Sequence, residues 1–122
     1  MIARRINRRS FWVAGALLAA AALGLYAKSV IEENSVPPGS PEVAGRILME
    51  RKRCIRCHKI EGEGGLVGPD LTKVALRKDL AWMSSYLEDP RSINPKAKMP
   101  KPRLTPEQRA AIVAYLRTLD GR

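Results

Sequence analysis

Cys54-Ile55-Arg56-Cys57-His58 is the stretch on which this chain turns. Two thiols lie three residues apart, and an imidazole follows at the next position. On a helical turn, thiols at that spacing can each bond a vinyl group on one edge of a porphyrin. The imidazole then stands over the iron. The C-x-x-C-H pattern is the attachment signature for a covalent haem. Two rival readings of the cysteine pair fail on context. A thioredoxin-like dithiol needs βαβ surroundings, and no alternating strand pattern occurs in the sequence. A structural zinc site takes four protein ligands. Here Cys54 and Cys57 are the only cysteines and His58 is the only histidine, so the set stops short. Two cysteines this close cannot frame a disulfide scaffold either.

The surroundings of the motif fit a chain folded about a cofactor. Of the 122 residues, Phe11 to Ala27 form an uncharged apolar run. From about Glu32 the composition is that of a water-soluble domain. A domain of that size has a marginal core without a metal, a disulfide or another staple. Its aromatic residues are only Trp82, Tyr86 and Tyr115. A large, flat, mostly apolar haem would supply the missing bulk.

Arg4, Arg5, Arg8 and Arg9 precede the apolar run. Basic residues followed by an apolar stretch and then a polar segment make a signal peptide or signal-anchor. Positive charge stays in the cytoplasm, so the remainder is exported. The run is at the short end for a bilayer core of about 30 Å; Val30 and Ile31 extend it if Lys28 snorkels. The expectation is a retained anchor over residues 1–31. Ala27-Lys28-Ser29 as a cleavage site and Arg8-Arg9-Ser10-Phe11 as a twin-arginine signal are the alternatives. Residues 32–40, with Pro37, Pro38 and Gly39, read as a short tether. Residues 41–122 are the haem domain.

That domain reads as helix and loop. Ser40-Pro41-Glu42 is a helix start, and the helix should run to about Arg53 with Val43, Ile47 and Leu48 on its buried stripe. Four glycines between Glu61 and Pro69 mark a loop. Asp79 can cap a helix through Leu87, with Leu80, Met83 and Leu87 on one face, ended by Pro90. Pro95, Pro100 and Pro102 hold Arg91 to Arg103 extended or in turns. Thr105-Pro106-Glu107-Gln108 opens the last helix with a capping box. Ile112, Tyr115, Leu116 and Leu119 form its inner face, and Gly121 ends it. The expected fold is all-α: a small helical domain around one covalent haem, preceded by one transmembrane helix.

A second axial ligand must come from elsewhere in the chain. Met1 lies on the wrong side of the membrane. Met49 and Met83 sit on apolar helix faces and read as core. Met99 lies in a proline-constrained loop that can deliver a thioether to a fixed point; an exposed loop methionine is the alternative. Methionine with histidine raises the reduction potential.

From Pro41 to Leu119 the sequence resembles the class I monohaem cytochromes c. The resemblance rests on Cys54-Ile55-Arg56-Cys57-His58, then Gly68-Pro69-Asp70-Leu71, then Met99-Pro100, then Ala111-Ile112-Val113-Ala114-Tyr115-Leu116. Trp82 to Met99 looks like the membrane-anchored bacterial members. The resemblance implies that Cys54, Cys57, His58, Pro69 and Met99 form the haem site, with His58 and Met99 on the iron. The Pro69 carbonyl accepts from the His58 ring N–H, and Gly45 crosses the last helix close to Tyr115. One departure is a first helix one residue longer, from Gly45 to Cys54, than in the mitochondrial pattern.

With both axial positions filled by protein, the expected function is outer-sphere transfer of single electrons. No small-molecule substrate and no catalytic residue are expected; Asp70, Glu61 and Glu63 read as solvated. The formal net charge is +10. Basic residues around the cysteines (Arg51, Lys52, Arg53, Arg56 and Lys59) are candidates for docking an acidic redox partner. Nucleic acid is set aside, because the cations are interleaved with acids and no nucleic-acid motif occurs. Three functions fit. The first is a periplasmic shuttle tethered to the inner membrane, moving electrons between respiratory or photosynthetic complexes. The second is a haem subunit of a larger membrane oxidoreductase, such as a nitric oxide reductase, an oxidase or a sulfur-compound dehydrogenase. The third is a sensor or peroxidase-like protein with an open distal side.

Overall fold

Between Arg9 and Lys28 the sequence has neither a proline nor a charge, and its alanines and leucines are strong helix formers. In the computed structural model, which describes residues 8–121, this stretch lies in helix α1, Arg8–Asn34. Met1, Arg4 and Arg5 lie outside the described residues. At 1.5 Å per residue α1 is about 40 Å long. It is long and apolar enough to cross a membrane. Phe11, Trp12, Leu18 and Tyr26 are all exposed along it, as side chains facing lipid would be.

The helix runs past the end of the apolar stretch. Glu32 to Asn34, expected in the tether, are helical, because no glycine or proline lies between Gly24 and Pro37. Asn34 Nδ2 donates to the Val30 carbonyl at 2.9 Å, and Ser35 Oγ to that of Glu32 at 2.9 Å. The chain divides into two compact units, one ending at Ser35 and one starting at Val36.

In the second unit, helix α2 spans Pro41–Arg51, α3 Leu80–Glu88, α4 Pro90–Ile93 and α5 Pro106–Thr118. Each start has its cap. Ser40 accepts from Val43 N, Asp79 from Trp82 N and Asp89 from Arg91 N. At α5 the Thr105 side chain accepts from Gln108 N while Gln108 Oε1 accepts from Thr105 N. Each such cap satisfies backbone donors that the helix cannot.

The core lies between α2 and α5. Leu48, Ile112 and Leu119 are wholly buried, and Met49, Met83, Tyr115 and Leu116 pack around them. Gly45 sets the crossing: a Cβ there would lie 2.0 Å from the Ala111 carbonyl oxygen and 2.7 Å from Tyr115 Cβ. Backbones that close force α2 to present its small residues to α5. The buried face is therefore Ala44, Gly45, Leu48 and Met49, and Val43, expected inside, is 46% exposed. On α3 Met83 is buried, whereas Leu80, in the first turn, is 42% exposed.

Three further departures concern the segments between helices. Helix α2 stops at Arg51, short of the motif, and a separate tight turn spans Cys54–Arg56. Strands β1, Lys59–Ile60, and β2, Glu63–Gly64, form a small antiparallel pair within the expected loop. Pro90 ends one helix but also opens α4, so Arg91 to Ile93 are helical rather than extended.

Candidate haem site

The motif leaves α2 through a left-handed residue, Arg53, with φ 59°. That turn redirects the chain before Cys54. Cys57 N and His58 N then both donate to the Cys54 carbonyl, at 3.2 and 3.0 Å. The two cysteines and the histidine thus sit on one tight turn. Neither cysteine is in a disulfide; Cys54 is half-buried and Cys57 exposed. Burial pushes the Cys54 thiol above its ordinary value.

The glycine-rich segment folds back along the motif. Gly65 N donates to the Ile55 carbonyl at 2.9 Å, Gly68 N to that of Cys57 at 2.7 Å, and Leu71 N to that of Lys59 at 2.9 Å. Carbonyls at every second residue from Ile55 to Lys59 are thus matched by donors of the loop. Only glycine allows so close an approach at two of these positions. A Cβ on Gly65 would lie 2.0 Å from the Arg56 carbonyl oxygen, and one on Gly68 2.5 Å from His58 Cε1. Four glycines in nine residues after the motif are the sequence signal for this contact; spacing alone marks them only as a loop.

This ladder brings the Pro69 carbonyl to 2.9 Å from His58 Nδ1. A carbonyl can only accept, so Nδ1 carries a proton, and in the neutral ring Nε2 holds the lone pair. Below Pro69 the loop is closed by Asp70. Its carboxylate accepts from both the hydroxyl and the backbone N–H of Thr72. The same Thr72 hydroxyl oxygen accepts from Glu61 N at 2.8 Å. These bonds hold the Asp70 carboxyl below its ordinary range, the Thr72 hydroxyl most of all.

Cys54, Cys57, His58 and Pro69 are thus brought together. Met99 is carried on a separate segment, between α4 and α5, and is half-buried. The donor set fits a covalent haem: two thiols outside any disulfide, and an imidazole with one nitrogen committed and the other holding its lone pair. Leu66 and Val67, at the crest of the glycine-rich segment, are 83% and 86% exposed. They offer apolar surface beside the motif.

Comparison with known proteins agrees with this chemistry. The chain is 31% identical over 91 residues to the C subunit of the nitric oxide reductase of Halomonas halodenitrificans, covering 65% of this chain and 59% of that one. It is 30% identical to the corresponding nitric oxide reductase polypeptide of Paracoccus denitrificans, covering 75% of this chain and 67% of that one. It is 33% identical to cytochrome c2 of Rhodopila globiformis, covering 70% of this chain and 98% of that one. The chain therefore spans about six tenths of the Halomonas relative's length. A family model described as Cytochrome c matches residues 43–120. With a C-x-x-C-H turn, a matched family model over most of the domain and these relatives, the chain belongs to the cytochrome c family, and its cofactor is a covalently held haem c.

Proposed function

We propose that this chain is a membrane-tethered, single-electron carrier of the periplasmic face of the inner membrane, working between respiratory or photosynthetic redox complexes. The haem supplies the one-electron iron couple. Cys54 and Cys57 hold it by thioether bonds. His58 Nε2 and Met99 Sδ would ligate its iron, and the Pro69 carbonyl would keep the imidazole oriented. A histidine whose outer nitrogen is hydrogen-bonded is a more basic and better aligned ligand. The single observation that carries the reading is the 2.9 Å bond from His58 Nδ1 to the Pro69 carbonyl, which leaves Nε2 as the donor. With both side chains bound, the iron would have no position left for a substrate. The chain then acts as a carrier rather than an enzyme.

Helix α1 supports the tether, being long and apolar enough to span a bilayer. The arginines before the apolar run support export of the haem domain. Arg51, Arg53 and Arg56 are exposed and flank the cysteines in sequence, and Leu66 and Val67 are exposed apolar residues of the glycine-rich segment. Exposed basic residues together with exposed apolar ones suit an acidic redox partner. A second reading, a haem subunit of a larger membrane oxidoreductase, is favoured by the likeness to the two nitric oxide reductase polypeptides.

The test is optical. Oxidised and reduced spectra are recorded with and without carbon monoxide, for the wild type and Met99→Ala. The wild type should ignore carbon monoxide and the variant should bind it. Ready binding by the wild type would mean an open iron and a sensor or catalytic role. Purification in mild detergent separates the first two readings: fixed stoichiometry with other membrane proteins favours the second.

A further inference from the structure

The segment that carries Met99 is held on both sides, by two different means. Upstream the hold is local. Asn94 Oδ1 accepts from Lys96 N at 3.1 Å, and the Asn94 carbonyl from Ala97 N at 2.8 Å. Ala97 is buried. Downstream the hold is long-range. Pro100 and Pro102 restrict the chain, and Lys101 between them reaches back to the junction of α3 and α4. Its Nζ lies 3.2 Å from Asp89 Oδ2.

Asp89 divides its carboxylate between two tasks. One oxygen accepts from Arg91 N at 3.1 Å and caps α4; the other holds Lys101. The preceding residue reaches across to the last helix, with Glu88 Oε2 3.5 Å from Arg109 Nη2. Two adjacent acids therefore grip the Met99 segment and the first turns of α5. Lys101 is also the main reason why the Asp89 carboxyl is held below its ordinary range, ahead of Arg91 N.

The geometry points to Asp89 as a positioning residue for Met99: its ion pair with Lys101 keeps the methionine segment on the α3–α4 junction and so favours the sulfur-bound form of the haem iron. This rests on the reading of Met99 as the axial ligand. A tethered ligand competes better with an external one, because less chain entropy is lost when it binds. The two side chains are 37% and 63% exposed, so solvent screening limits the effect. Exposed pairs of this kind shift an equilibrium by about two- to fivefold at most.

The test uses the full haem-loaded chain in detergent, oxidised, and titrated with imidazole as a competing external ligand. Loss of the red charge-transfer band of sulfur–iron coordination reports displacement of Met99. Asp89→Asn removes the charge but keeps a good helix cap. It and Lys101→Gln should each raise the apparent imidazole affinity about two- to fivefold. The double variant should gain no more than either single one, since both remove the same pair. At molar salt the difference should vanish, and the thermal midpoint of Asp89→Asn should stay near that of the wild type. An intact sulfur band with unchanged imidazole affinity in both single variants overturns the positioning role alone. So do additive effects in the double variant. A wild type without the sulfur band, binding imidazole as Met99→Ala does, overturns the ligand reading and the positioning role with it.

Discussion

The Pro69 carbonyl accepts the Nδ1 proton of His58 at 2.9 Å, across eleven residues of chain. Two features enforce this contact: the donors of Gly65, Gly68 and Leu71 that pin the loop to the motif, and the missing side chain of Gly68. The orientation of the imidazole is thus a property of the loop as much as of the histidine.

Gly68→Ala tests that arrangement. The added Cβ would meet His58 Cε1 at 2.5 Å and Nδ1 at 2.7 Å, so the ring or the loop must move. Overpacking of this kind costs about 1–3 kcal/mol, read from guanidinium unfolding. A weaker hydrogen bond makes the imidazole less basic and stabilises the oxidised iron less. The reduction potential, measured by redox titration, should therefore rise.

Gly45→Ala should separate the scaffold from the site. Its Cβ would fall 2.0 Å from the Ala111 carbonyl oxygen, which forces α2 and α5 apart. A loss of about 1–3 kcal/mol or more is expected. It should be seen as a lower denaturation midpoint at unchanged slope. The visible spectrum of the folded variant should match that of the wild type, because α2 ends before the motif.

Asp70 should give the domain part of its acid sensitivity. Its folded pKa is lowered, by the Thr72 hydroxyl first and the Thr72 backbone N–H next. A lowered carboxylate contributes stability at pH values above its unfolded value, about 3.9. That contribution is lost as the pH falls through the folded value. Asp70→Asn should accordingly be less stable than the wild type near neutrality, with the gap closing below about pH 4. Coincident acid-unfolding curves for the two proteins would show that the Asp70–Thr72 bonds carry none of this dependence.

Replacing residues 1–35, up to the division between the two compact units, by a cleavable export signal should leave a haem protein that stays in solution after membranes are sedimented. The full chain should sediment with them. Helix α1 presents Phe11, Trp12 and Leu18 to its surroundings, and burying such a helix in lipid is strongly favourable. Membrane binding by the truncated protein would place the attachment in the haem domain instead.

What was legible in the sequence was local. The C-x-x-C-H turn, the caps at Ser40, Asp79 and Thr105, and the inner face of α5 all depend on residues within a few positions of one another. Their hydrogen bonds and periodicity follow from spacing alone, and Ile112, Tyr115, Leu116 and Leu119 are all buried. Tertiary structure decided what depends on distant chain. The close approach of α2 and α5 at Gly45 chose Ala44 and Gly45 for the interior and turned Val43 outward, against its hydrophobicity. The left-handed Arg53 and the short β1–β2 pair arise where the glycine-rich loop returns to the motif. The pairing of Glu88 with Arg109 and of Asp89 with Lys101 spans 21 and 12 residues. No periodicity encodes such a pairing, because it exists only once α3 and α5 have packed and brought those charges to one edge.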